Sequence, residues 1–127
     1  MPLVLIATDA DAVYAEVDAA LADETTRVAR VRAGTEVGPA VAAGTPDLVV
    51  LDLQIGNMGG IATCLYLRQE AEEQRLPAVK VLMLLDREAD VFLARRSGAD
   101  GWLVKPLDAF ALRAAATAIL AATPATA

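Results

Sequence analysis

The chain has no histidine and only one cysteine, Cys64, in 127 residues. A lone cysteine forms no internal disulfide, and without imidazole there is neither a tetrahedral zinc cage nor a Ser-His-Asp relay. Zinc hydrolases and triad hydrolases are thereby excluded, and the commonest general base is missing. Basic residues are scarce as well: 11 Lys and Arg stand against 17 Asp and Glu, a formal net charge of −6. Nucleic-acid backbones are bound by Lys and Arg that displace counterions, so no direct nucleic-acid partner is expected. No apolar run approaches the ~20 residues of a membrane helix. The start Met1-Pro2-Leu3-Val4-Leu5-Ile6 has no basic leader and no cleavable pattern, so no membrane is expected and the expected location is cytoplasmic. What remains for chemistry is carboxylates, two lysines, hydroxyls and backbone amides. That set suits oxygen-ligated Mg²⁺ or Ca²⁺ and carboxylate nucleophiles.

Hydrophobic residues nevertheless reach 56%, with mean hydropathy +0.44 and charge spread throughout, which implies one buried core. A single domain over 1–122 is expected, with 123–127 a flexible tail poor in bulky apolar groups. Leu3 to Ala7 is a short continuous apolar run, the pattern of a strand covered on both faces. Val13, Val17, Ala20 and Leu21 then recur at helical spacing, with Asp9 or Asp11 placed to cap that helix. Residues 26–32 mix Arg27, Arg30 and Arg32 with Val28, Ala29 and Val31, too charged for a central strand and suited to an edge. A helical segment over 36–43, the break Gly44-Thr45-Pro46 and a buried strand over 47–52 follow.

The glycine-rich stretch Ile55-Gly56-Asn57-Met58-Gly59-Gly60 opens a helix expected to bury Ile61, Cys64 and Leu65, and its charged end over 68–75 reads as solvated. A strand over 79–85, a helix over 87–97, a short strand over 101–104 and an alanine-rich helix over 108–122, capped by Asp108, complete the pattern. Five strands alternating with five helices predict a doubly wound α/β sandwich with a parallel sheet and helices on both faces. Its site belongs at the carboxyl ends of the strands, where the strand order reverses.

Those ends carry Thr8 and Asp9, then Asp52, then Leu85 and Asp86, and finally Lys105 followed by Pro106. Two carboxylates beside a lysine can hold a hard cation and admit a phosphoryl group, with Asp52 placed as nucleophile. Pro46-Asp47-Leu48-Val49-Val50-Leu51-Asp52-Leu53 and Ser97-Gly98-Ala99-Asp100-Gly101-Trp102-Leu103-Val104-Lys105-Pro106 resemble receiver domains of two-component response regulators, the CheY-like family. The agreement in spacing extends over nearly the whole chain. The resemblance implies strand order 2-1-3-4-5 and Asp52 as phosphoacceptor. It also implies Asp9, Asp52 and the backbone carbonyl of Gln54 as Mg²⁺ ligands, Lys105 as partner of the phosphoryl oxygens, and Trp102 at the aromatic switch position. A histidine kinase or phosphotransfer protein upstream and an output protein downstream are the implied partners, with the chain a monomer or weak homodimer.

Several positions depart from the family pattern. Thr8 stands where a second acidic residue usually precedes Asp9, which lowers the expected Mg²⁺ affinity. Leu85 replaces the hydroxyl residue that contacts the phosphoryl group and draws the aromatic inward. Asp86 replaces a small residue beside the phosphate, so it must turn outward, join the cation site or repel the anion. Gly56 replaces a proline after the acceptor, and the connection from Leu85 to Lys105 is short, which implies a remodelled loop. A partner face of Phe92, Arg95, Arg96, Trp102 and Leu103 is expected, although the two arginines also fit an ordinary solvated helix face. Cys64 reads as a core residue.

Two functions follow as expectations. One is a stand-alone receiver phosphorylated on Asp52, not an enzyme beyond self-catalysed transfer and hydrolysis. The alternative is a phosphorylation-independent pseudo-receiver that acts as a protein-interaction module. A dehalogenase-type phosphatase would place a second acid where Gln54 stands. Flavin binding would need more than the short acidic loop from Thr8 to Asp11.

Overall fold

Short β-branched and leucine-rich runs alternate with amphipathic stretches, and the computed structural model, which describes residues 2–122, forms five parallel strands from them. The strands are β1 (Leu3–Ala7), β2 (Arg27–Val31), β3 (Leu48–Asp52), β4 (Lys80–Leu85) and β5 (Gly101–Val104). The helices are α1 (Asp11–Leu21), α2 (Val37–Gly44), α3 (Gly60–Glu72), α4 (Val91–Arg96) and α5 (Ala109–Ala121). The sheet order is β2-β1-β3-β4-β5, so the charged β2 occupies an edge and the fully buried β3 the centre. The expected tail over 123–127 lies outside the described residues.

Strand side chains alternate between two apolar layers. Val4, Ile6, Leu48, Val50, Leu82, Leu84 and Leu103 face α1 and α5, packing on Val17, Leu21, Leu112 and Ile119. Leu5, Ala7, Val49, Leu51, Met83, Leu85, Trp102 and Val104 face α2, α3 and α4, packing on Val41, Cys64, Leu67 and Ala94. Burying one such Leu or Val side chain contributes about 1.5–3 kcal/mol, so each layer holds its helices firmly. Among the described residues no helix is long and apolar enough to cross a membrane.

Local differences from the sequence reading have physical causes. The first helix is capped by neither Asp9 nor Asp11: Ala10 is the N-cap, with no side-chain cap. The Asp11 carboxylate turns instead to Arg30 at 2.9 Å and Arg32 at 3.0 Å, which hold it below the usual carboxylate range. In α3 the buried stripe is Gly60, Thr63, Cys64 and Leu67, while Leu65 is half exposed, because the inward face follows the i, i+3, i+4, i+7 rows. Asp108 does cap α5, accepting from the Ala111 N–H at 2.9 Å. The helix expected over 87–97 is a 3-10 turn, Glu88–Asp90, followed by six α-helical residues. Arg68 ties α3 to the far end of the sheet through Val79 O, Gly98 O and Asp100 Oδ2.

Candidate functional site

In a parallel sheet, residues that end neighbouring strands in register end side by side. Ala7 pairs with Leu51 and Leu85 with Val104, so the next rung sets Thr8 beside Asp52 and Asp86 beside Lys105. Asp52 is 1% exposed, and its carboxylate is satisfied at both oxygens. Oδ1 accepts from Lys105 Nζ at 2.7 Å and from the Gln54 backbone N–H at 3.2 Å. Oδ2 accepts from the Thr8 hydroxyl at 2.7 Å. Thr8 is itself fixed: its N–H donates to Val31 O, its carbonyl accepts from the Arg30 guanidinium, and its Oγ1 accepts from the Ala10 N–H.

Lys105 Nζ reaches a second carboxylate, Asp86 Oδ1, at 3.0 Å. Burial opposes the ammonium charge, but hydrogen bonds and charge from Asp52 and Asp86 outweigh it and hold the Lys105 pKa above the usual lysine value. Burial likewise favours a protonated Asp86, yet Gln54 and Lys105 hydrogen bonds and the nearby cations hold its carboxyl below the ordinary range. Its other oxygen, Oδ2, is buried without a hydrogen-bond partner among the described residues. The Lys105–Pro106 bond is cis.

Asp9 is exposed and bends over the loop between β3 and α3, where its Oδ2 accepts from the Gly56 N–H at 3.0 Å. A side chain at Gly56 would put its Cβ 3.2 Å from that oxygen, so glycine lets the carboxylate lie against the loop. The same loop is bound to the segment before α2 by Gly34 N–H to Gly56 O and Thr35 N–H to Asn57 O, both 2.9 Å.

The remaining positions separate. Leu85 is fully buried in the α2–α4 layer and offers no hydroxyl. Trp102 is half-buried in the same layer, with the Arg95 guanidinium 5.5 Å from its ring centroid, and Arg96 lies 5.6 Å from that of Phe92. Leu103 does not join them: as the next residue on β5 it points into the α1–α5 layer. Cys64 is buried with its thiol pushed up by burial, which leaves no reactive thiolate.

Two contacts were not foreseen from the residues. Thr8 donates directly to Asp52, and Asp86 pairs with Lys105, which was not among the three alternatives its position suggested. The signal for both was the strand register, since in each pair a donor and a carboxylate occupy the rung that follows the last paired residues, Ala7 with Leu51 and Leu85 with Val104.

Against known proteins, the model of the Response regulator receiver domain family matches residues 4–117. The chain belongs to that family. This receiver domain is 30% identical over 120 residues to the transcriptional regulatory protein AfsQ1 of Streptomyces coelicolor, covering 94% of the chain and 52% of AfsQ1. The chain thus spans about half the length of that curated relative. Among solved structures, the signal receiver domain of a signal transduction histidine kinase from Syntrophus aciditrophicus superposes with a TM-score of 0.83 at 23% identity, covering all of this chain and 98% of that one. The response regulator domain of Thermotoga maritima CheB gives 0.82 at 19%, covering 98% and 99%. At those identities the two structures speak for the fold.

As a receiver domain the chain is a module of two-component signalling. Among the described residues no three acidic, histidine or cysteine side chains gather around one point. The donors present are hard oxygens, two carboxylates and a carbonyl, which is the chemistry Mg²⁺ prefers. Asp9, Asp52, Asp86 and Lys105 sum to a charge that a divalent cation neutralises. That donor chemistry fits a hard divalent cation such as Mg²⁺.

Proposed function

We propose that this receiver domain accepts a phosphoryl group on Asp52 from a phosphohistidine, on a histidine kinase or phosphotransfer protein, in the cytoplasm. The observation that carries the reading is the buried Asp52 carboxylate at the end of the central strand with Lys105 Nζ 2.7 Å from Oδ1. One carboxylate oxygen bonds to phosphorus as the donor's P–N bond breaks, and the electron pair leaves with the ring nitrogen, which takes up a proton. Lys105 balances the charge that collects on the phosphoryl oxygens. Mg²⁺ held by Asp9, Asp52 and the Gln54 carbonyl would withdraw charge from the same oxygens. Thr8 must rotate its hydroxyl off Oδ2 if that oxygen is to attack. Water later cleaves the acyl phosphate, returning the carboxylate and inorganic phosphate.

With leucine at position 85, coupling to Trp102 does not run through a hydroxyl. The surface of Phe92, Arg95, Arg96 and Trp102 is proposed to receive an output protein, its paired arginines suiting an acidic partner. The net charge of −6 argues against nucleic acid as that partner. A second reading, constitutive binding without phosphorylation, is favoured by Thr8 and Lys105, whose side chains themselves satisfy both oxygens of Asp52.

Acetyl phosphate with Mg²⁺, read by intact-protein mass spectrometry, separates the two. The wild type should gain one phosphoryl group and Asp52→Asn none. Equal gain by both proteins would remove Asp52 from the role, and no gain by the wild type would favour the constitutive module.

A further inference from the structure

We propose that Asp86 is a built-in anion that holds Lys105 and competes for it with an incoming phosphoryl group, so that filling the site requires the Asp86 carboxylate to leave the lysine. This rests on the reading of Asp52 as acceptor. Lys105 Nζ has three N–H bonds to give, and two are committed, to Asp52 Oδ1 and Asp86 Oδ1. The lysine stands between the two carboxylates, where a phosphoryl group on Asp52 would also seek it. The backbone cannot carry Asp86 away. Leu85, on one side, is fully buried and paired with Val104. On the other, both the N–H and the guanidinium of Arg87 are bound to Asp90, which pins the start of the 3-10 turn.

The carboxylate is therefore delivered to the site by its neighbours, and only side-chain rotation can withdraw it. Its Oδ2 is buried without a hydrogen-bond partner among the described residues, and its Oδ1 accepts from Lys105 at 3.0 Å. Asp86, whose charged form Gln54 also favours, is thus bound to the lysine it competes for. A phosphoryl group brings additional negative charge to the far side of Lys105, and like charges across one ammonium oppose each other. The competition sets a threshold: weak anions leave Asp86 in place, and a phosphoryl group displaces it only with help from a cation or a bound donor protein.

Beryllofluoride titrated with Mg²⁺ into the full chain, followed by calorimetry, tests this with Asp86→Asn, Asp86→Ala and Asp86→Glu. Asn and Ala should bind on the order of tenfold tighter than the wild type, because the competing charge is gone. Glu, which restores the charge, should stay close to the wild type. Amide spectra of the distant strands check that each variant is folded, and the isosteric Asn stands in if Ala is not. Equal affinity of wild type, Asn and Ala would overturn the proposal and leave the acceptor reading intact, as would a Glu variant as tight as Asn. Absence of binding in all four proteins would overturn both.

Discussion

A hydroxyl at position 8 can donate to Asp52, whereas a carboxylate there would repel it. Thr8 therefore bonds Asp52 directly: the buried carboxylate accepts from Thr8 at one oxygen and from Lys105 at the other. The same exchange removes one negative charge from the cation's side of the site. Thr8→Asp should raise Mg²⁺ affinity on the order of tenfold, while lowering metal-free stability by about 1–3 kcal/mol, because the buried Asp52 loses a donor and gains a like charge. Calorimetric Mg²⁺ titration and thermal unfolding measure the two effects. An unchanged affinity would mean that the cation does not lie against Thr8 and Asp52. At this scale the nearness of Asp52 and Lys105 was legible, because their residue types and spacing set a carboxylate and an ammonium at one crevice. The bonds of Thr8 and Asp86 were not, because a side chain's orientation depends on the register of strands far apart in the chain.

The loop from β3 to α3 follows Asp52 directly, and its shape is set by backbone contacts. Asn57 and Met58 have φ of 51° and 83°, and Gly34 approaches so closely that an added Cβ would lie 1.7 Å from Met58 O. Both sides of that contact are backbone, tied by the Gly34 and Thr35 N–H bonds, so neither can yield cheaply. Gly34→Ala should destabilise the fold by about 1–3 kcal/mol and weaken Mg²⁺ binding by shifting the loop that bears Gln54 and Gly56. A urea midpoint equal to that of the wild type would contradict this packing. The strands were readable as elements because β1, β3 and β4 are buried on both faces and appear as continuous apolar runs, and β2 announced its edge position by its arginines. The inward face of α3 was less clear. Cys64 is buried as its residue type suggested, but Leu65 is as apolar as any core residue, and only packing reveals that Thr63 faces inward in its place.

For the molecule as a whole, the parallel order β2-β1-β3-β4-β5 brings the ends of β1, β3, β4 and β5 to one rim, and the charged residues of the site all stand there. Charge and geometry describe the same balance from two sides. Asp9, Asp52 and Asp86 exceed Lys105 in charge, which welcomes a cation, while Asp86 and Thr8 occupy the bonds that a phosphoryl group would need. On the proposed reading this rim accepts a phosphoryl group, which together with a cation replaces the bonds its side chains make with one another. Amide NMR of the full chain, before and after Mg²⁺ and then millimolar beryllofluoride, tests it most directly. Shifts at Asp9 and the β3–α3 loop are expected with Mg²⁺, followed by shifts at Thr8, Asp52, Asp86 and Lys105 with beryllofluoride. A spectrum unchanged at both steps would contradict it and leave a receiver fold whose site is sealed.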